Sequence, residues 1–181
     1  ASAQMMYKPD NDTLKVQEIE DVQLHKTGNP NKARVTTSKS NLSVMENPQP
    51  VSIVTHEIIE QQQIRQLSEV IQNVNGIYVT SARGNSQSSF GGRGFTFGSE
   101  NIYKNGARIN SGVNPETSGL ERVEIAKGAN ALLYGNVAPG GIINMITKKP
   151  RFNFGGSVAL NGGSWNTYKP TVDIFGPLSK K

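Results

Sequence analysis

The 181-residue chain contains no cysteine. Disulfide frameworks, thiolate metal sites and cysteine nucleophiles are therefore excluded. Histidine is scarce too: His25 and His56 stand far apart and show no metal-ligand spacing to other residues, so they read as solvated or capping side chains. No apolar run reaches about 18 residues, the length a transmembrane helix needs. Only 35% of the residues are hydrophobic, against 19 glycines and 9 prolines. That balance predicts many short strands and loops and few helices. Nucleophile–base pairs and metal-ligand clusters are also missing, so nothing in the chain supports an enzyme.

What is present begins with a formal charge of +5. A basic excess suits an anionic partner, whether nucleic acid, a lipid head group or an acidic small molecule, and it also serves plain solubility. Ala1-Ser2-Ala3 has the small residues that end a cleaved secretory signal, or those of a cloning scar.

Residues 1–46 are polar and carry no helical period, the pattern of an extended, mobile arm. Within them Asp12-Thr13-Leu14-Lys15-Val16 alternates. Such a segment can add a strand to another protein's sheet edge, or remain a solvated tail. From Pro48 the composition turns globular. Val51–Val54 is a strand candidate, Thr55 a cap for a short helix over 56–62, and Leu67, Val70, Ile71 and Val74 share one face of a second helix. Asn75-Gly76 ends that helix, Ile77–Thr80 reads as a strand, and 81–89 as a polar loop. Asn105-Gly106 between Ile102-Tyr103-Lys104 and Ala107-Arg108-Ile109 predicts a tight hairpin, and 110–119 is another polar loop. Val123 and Ile125 alternate with Arg122 and Glu124 in a strand, and Ile142–Thr147 is an apolar strand suited to a sheet centre. Gly155–Gly163 and Asn166–Phe175 alternate over about ten residues each, which fits either the start of an outer-membrane barrel or a soluble hairpin. Two strands cannot close a barrel, so barrel strands here would make the chain part of a longer protein.

Some signals point elsewhere. Phe90-Gly91-Gly92-Arg93-Gly94-Phe95 resembles an RGG-type RNA-binding segment, and 93–97 half-matches an RNA-recognition core. Thr96, Gly98 and Glu100 break that match. Gly135–Gly141 is glycine-rich but lacks the Gly-Lys-Ser/Thr ending of a phosphate loop. Glu121 and Glu124 alternate with Arg122 and Lys127, a mixture that points to salt bridges rather than to a general acid or base.

Taken in order, several blocks resemble the plug domain of TonB-dependent outer-membrane receptors, of the ferric-siderophore type. Residues 12–16 look like the family's TonB box, and Pro48–Thr55 like the plug's opening strand. Gly92-Arg93-Gly94-Phe95 looks like its Arg-Gly-Phe block, with Gly92 where Ile is usual. Glu121–Ile125, Lys127-Gly128, Leu133-Tyr134-Gly135 and Pro139-Gly140-Gly141 complete the set. The siderophore flavour rests on Leu132–Gly135, Pro139–Asn144 and Thr147–Pro150.

The resemblance implies an α+β fold: a small mixed β-sheet with short helices and long loops, seated inside a barrel of about 22 strands. It divides the chain into an arm (1–46) with the TonB box, a plug (47–150) and the first two barrel strands (151–181). The loops over 81–90, 96–101 and 110–119 would face the ligand. Arg83 and Arg108 would attract an anionic chelate, and Phe90 and Phe97 would offer apolar surface, with Phe95 in the core. Asn85, Gln87, Ser99, Asn110 and Asn114 would hydrogen-bond chelator oxygens. Arg93, Glu121, Arg122, Glu124 and Lys127 would hold the plug to the barrel wall, with Lys127 replacing a frequent Arg and losing its planar fork. The implied partners are the TonB energy-transducing protein on Asp12, Thr13, Leu14, Lys15 and Val16, a ferric siderophore, the chain's own barrel and the outer membrane. On this resemblance, the few residues before the TonB box would leave no room for a periplasmic signalling domain. No cofactor is implied, because iron travels inside its chelator. Receptors for cobalamin or another metal chelate share parts of the pattern, and a basic RNA-binding module is the alternative from a different class.

Overall fold

Ile142–Thr147, apolar apart from Asn144 and Thr147, becomes the middle of the main sheet. The computed structural model describes residues 32–39, 42–83, 86–109, 112–128 and 134–177. The expected TonB box, His25, Asn85, Asn110, Leu132 and Leu133 lie outside the described residues.

The main sheet has five strands in the order β1 (Val51–Thr55), β7 (Leu120–Lys127), β8 (Gly141–Thr147), β5 (Ile102–Lys104) and β6 (Ala107–Arg108). β8 runs antiparallel to β7 and parallel to β5. A strand flanked on both edges and buried on both faces needs apolar residues at successive positions, which is why it reads as a run rather than an alternation. β5 and β6 form the expected Asn-Gly hairpin, in which Asn105 and Gly106 take φ of 51° and 82°. Both are left-handed, as the favoured two-residue turn requires.

One face of the sheet, here the front, packs on α1 (His56–Gln61) and α2 (Leu67–Ile71). The core between them includes Val54, Ile59, Leu67, Val70, Ile71, Val123, Ile125, Ile143 and Met145. α2 is shorter than its apolar spacing predicts. The N–H groups of Gln72, Asn73 and Val74 reach back three residues, to Glu69, Val70 and Ile71, so the final turn tightens into 3-10 geometry while Val74 stays in the core. Thr55 precedes α1 without capping its backbone; its hydroxyl serves the Glu57 carboxyl and holds that group's pKa below the usual range.

Two expectations are corrected. The segment 81–89, expected as a polar loop, is mostly sheet: β2 (Ile77–Arg83), β3 (Gln87–Gly92) and β4 (Phe95–Phe97) form a three-stranded antiparallel sheet. Serine and glutamine suit an antiparallel strand with one wet face, so polarity alone did not exclude it. The arm expected to run to residue 46 is pinned well before that. Val35 and Thr37 are buried, Arg34 bridges to Ser43, and the Val35 N–H donates to the Leu42 carbonyl.

After β8 the chain forms one long hairpin, β9 (Gly155–Gly163) with β10 (Thr167–Phe175), in unbroken antiparallel register. No helix of the described residues is long and apolar enough to cross a membrane.

Candidate functional site

Of the nine expected ligand contacts, four gather at one end of the molecule. Arg83 ends β2 directly opposite Gln87 on β3. With Ser81 and Ser89 they line a hollow of about 290 Å³ that has no acidic side chain in its wall among the described residues. Among the described residues Arg83 makes no ion pair, so its charge is available to an anion. Gln87 also borders a narrow cleft shared with Ser99 and Asn114. The Asn114 N–H donates to the Ser86 carbonyl at 2.5 Å, tying the 112–119 loop to the turn that joins β2 to β3.

The aromatic expectations are reversed. Phe90 and Phe97 face each other across β3 and β4, with ring centroids 5.9 Å apart, and both are in the core. Phe95, expected in the core, is 52% exposed. Phe95 and Phe97 share a face of β4, but Phe97 lies opposite the buried Phe90 whereas Phe95 sits at the turn end, opposite a glycine that offers it no side chain. The β4 register puts Phe97 inside and pairs Phe95 with Gly92. The same turn, with Arg93 at φ 51° and Gly94 at φ 83°, makes the RGG-like segment a hairpin with one buried ring, not a display of aromatics for RNA. Arg108 belongs elsewhere: its guanidinium donates to the Tyr103 hydroxyl and, at 2.7 Å, to the Asn136 carbonyl.

The residues expected to meet a barrel wall divide three ways. Arg93 lies over Gly128, where an added Cβ would come 2.9 Å from its Nη1. Burial, then the charge of Arg93, lowers the Lys127 pKa. Among the described residues neither cation forms an ion pair. Glu121 meets Arg151 at 3.6 Å. Glu124, by contrast, is wholly buried and engaged inside the domain. Its carboxylate accepts from the Arg122 guanidinium at 2.9 Å, from the Thr36 and Thr37 N–H groups at 2.9 and 2.8 Å, and from the Thr37 hydroxyl at 2.6 Å. Arg122 and Glu124 thus satisfy each other, as the mixed charges suggested, and Glu124 presents nothing to an outer wall.

Sequence reasoning missed the contacts that seat β9–β10. Ser157, Ala159, Asn161, Lys169, Thr171 and Asp173 form the hairpin's inner face, opposite α1 across a cavity of about 320 Å³. Two ion pairs bridge the gap in opposite senses, Lys148 to Asp173 and Lys169 to Glu116, each at 2.5 Å. Burial alone would raise the Glu116 carboxyl, but Lys169 together with hydrogen bonds from Ser118 outweighs it and holds the pKa below the ordinary value. His56, read as solvated or capping, borders this cavity. Its Nε2 meets Glu60 at 2.8 Å and its Nδ1 is buried without a partner. The signal was legible as charges at alternate positions of a β strand, Lys169 and Asp173, that a soluble hairpin would turn outward.

The outer face of the same hairpin is apolar and bare. Val158, Leu160, Tyr168, Val172 and Ile174 are 62–80% exposed, and Val158 pairs directly with Val172. This polarity, wet inside and apolar outside, is the inverse of a soluble sheet and is that of a membrane-barrel strand.

Comparison with known proteins agrees with this geometry. Residues 43–142 match the family model described as the TonB-dependent receptor plug domain. The ferrioxamine B receptor of Salmonella typhimurium is 32% identical over 142 residues, covering 74% of this chain and 20% of the relative. The ferripyoverdine receptor of Pseudomonas aeruginosa is 31% identical over 151 residues, covering 80% and 18%. Among solved structures, the pyoverdine outer-membrane receptor FpvA of Pseudomonas aeruginosa bound to pyoverdine superimposes with a TM-score of 0.76 at 28% identity, covering 86% of this chain and 24% of that one. The chain spans about a fifth of the length of the curated relatives it matches. With the family model covering more than half of its residues, the chain belongs to the TonB-dependent receptor plug domain family.

Proposed function

We propose that the chain is the gating and ligand-sensing plug of an outer-membrane transporter that imports a ferric siderophore. The observation that carries this reading is the inverted polarity of β9–β10: a charged face held to the plug by Lys148–Asp173 and Glu116–Lys169, and an apolar face left for lipid. In this reading residues 1–46 include the periplasmic arm, 47–150 the plug, and 151–181 the first two strands of the surrounding barrel. The protein catalyses nothing and holds no cofactor; iron is cargo inside its chelator.

Arg83, Gln87, Ser99 and Asn114 supply the ligand end. One guanidinium with amide and hydroxyl groups suits the anionic, oxygen-rich surface of an iron chelate. The matched relatives are named for ferrioxamine and ferripyoverdine, which favours a siderophore over cobalamin. Arg93 and Lys127, two neighbouring cations, are matched to carboxylates on a barrel wall. Residues 12–16 offer a strand edge to the TonB transducer, which pulls once ligand has bound.

Iron-uptake measurements on cells making the whole receptor test this. Uptake of a ferric siderophore should require the transducer and vanish with Leu14→Pro. Arg83→Glu should weaken chelate binding by about tenfold or more, the effect of losing one charge-assisted contact. Uptake indifferent to both substitutions would overturn the proposal.

A further inference from the structure

A row of side chains crosses the back of the main sheet, on the face opposite the helices. The strand register aligns Ile53, Glu124, Asn144, Tyr103 and Arg108 from β1 to β6. A sheet face under permanent cover is normally apolar. Here its two central positions are a glutamate and an asparagine, both fully buried.

The cover includes one short segment whose Val35, Thr37 and Ser38 are themselves buried. Residues 34–38 cross the row, and the Thr36 and Thr37 N–H groups and the Thr37 hydroxyl all end on the Glu124 carboxylate. The Arg122 guanidinium donates to the Arg34 carbonyl and the Thr36 hydroxyl. The Tyr134 hydroxyl donates to the Thr37 carbonyl at 2.8 Å, while its ring stands edge-on to Tyr103 with centroids 4.6 Å apart. Only Val35 among these five residues is a buried apolar side chain, in a small cluster with Val51 and Ala126 that is separate from the main core.

We propose that residues 34–38 are a detachable strap, held shut by the Glu124 carboxylate, over a preformed polar groove on the back of the sheet. Three features favour separate opening. The strap is fastened chiefly by hydrogen bonds, which water can replace, and by little apolar burial, which it cannot. The surface beneath is polar, so it tolerates wetting without the loss an apolar core would suffer. The closed form also leaves the Asn144 Nδ2 buried without an acceptor, and opening would hydrate it. Glu124 is therefore a positioning residue that fixes where the leading segment meets the domain. This detachability does not rest on the receptor reading, which supplies only the identity of what pulls the strap.

Amide hydrogen exchange on the intact protein tests the proposal. Segment 34–38 should exchange about tenfold or more faster than segments 122–126 and 142–146, as a unit that opens on its own does. Glu124→Gln, which keeps the shape but turns donors toward donors, should speed the strap about tenfold further and leave both sheet segments unchanged. If Glu124→Gln does not fold, Thr37→Val removes one strap hydroxyl and should act in the same direction with a smaller effect. Equal exchange of strap and sheet in the unaltered protein would overturn the proposal. So would a Glu124→Gln or Thr37→Val effect spread equally over all three segments, or absent from the strap. Chelate binding is read separately, because the strap and the Arg83 hollow share no residue.

Discussion

Asn101 offers the sharpest test of how the plug is stitched together. It lies in a short 3-10 turn between β4 and β5 and is wholly buried. Its Nδ2 donates to the Ala138 carbonyl at 2.8 Å and to the Gly141 carbonyl at 2.6 Å, and its Oδ1 accepts from the Ala138 N–H at 3.1 Å. The amide orientation follows from its partners, because two carbonyls need donors and one N–H needs an acceptor. Asn101→Ala deletes all three bonds and strands three backbone groups at the entrance to the central strand. At about 1 kcal/mol per bond where water takes over, and up to about 3 where the site stays dry, the loss is at least roughly 3 kcal/mol. That is a large share of the about 5–15 kcal/mol that holds a domain together.

Asn101→Asp separates hydrogen bonding from simple volume. It is nearly isosteric and keeps the acceptor for the Ala138 N–H, but it aims a carboxylate oxygen at two carbonyls and buries a charge. Near neutral pH it should be less stable than the alanine variant. Its carboxyl pKa is raised in the folded state, where the neutral form is favoured, so acidification should recover stability by letting the protonated oxygen donate to one carbonyl. Urea unfolding at neutral and acidic pH, with an unchanged m-value, reads both effects. An aspartate variant as stable as the alanine one at neutral pH, or an alanine cost under about 0.5 kcal/mol, would refute the reasoning.

Three further outcomes are expected. A Cβ at Gly140 would lie 2.6 Å from the Phe97 ring and 2.9 Å from the Phe95 carbonyl, neither of which can easily move, so Gly140→Ala should cost about 1–3 kcal/mol in a thermal melt; an unshifted melt would show that the loop yields. Phe97→Ala should cost about 3–5 kcal/mol and Phe95→Ala no more than about 0.5 kcal/mol, and the opposite ranking would contradict the placement of Phe97 in the core. Burial first, then the charges of Glu124 and of the ionised Tyr103 phenol, pushes the Tyr134 pKa up to about 12. Its contribution to stability is therefore complete below the unfolded value near 10 and is lost as pH rises through about 12. An absorbance titration should show a late phenolate step that Tyr134→Phe removes, and a missing step near pH 10 instead would contradict this placement.

The sequence was most legible where a local rule is also the global answer. The apolar run at 142–147 could only be a strand buried on both faces, and Asn105-Gly106 could only be a tight turn. It was less legible where tertiary register decides. Phe90, Phe95 and Phe97 look alike in a line of text, and only the pairing of β3 with β4 sets Phe97 against Phe90 in the core and leaves Phe95 at the turn end against Gly92. Residues 34–38 carry almost no apolar signal, so composition placed them in the arm. Glu124, 88 and 87 residues beyond Thr36 and Thr37, was needed to bind them. The family motif identified the charged strand over 121–125 but not the roles within it. Arg122 and Glu124 neutralise each other under the strap, and Glu121 alone turns to the hairpin side, toward Arg151.

Polarity inverts along the chain near Pro150, and that inversion bears on what surrounds the molecule. Before it, apolar side chains point into a core between sheet and helices. Beyond it, five large apolar side chains of β9–β10 point away from everything described, while the charges point in. At about 1.5–3 kcal/mol for each such side chain buried, the unclaimed burial is roughly 7–15 kcal/mol, as large as the net stability of a domain. The inner face cannot be exchanged for the outer one. Turning the hairpin over would break Lys148–Asp173 and Glu116–Lys169 and set two charged side chains among exposed apolar neighbours. Each strand also pairs with only one neighbour among the described residues, leaving a free edge on either side. A face that wants an apolar phase, joined to edges that want further strands, is what the proposed closed barrel in lipid would satisfy.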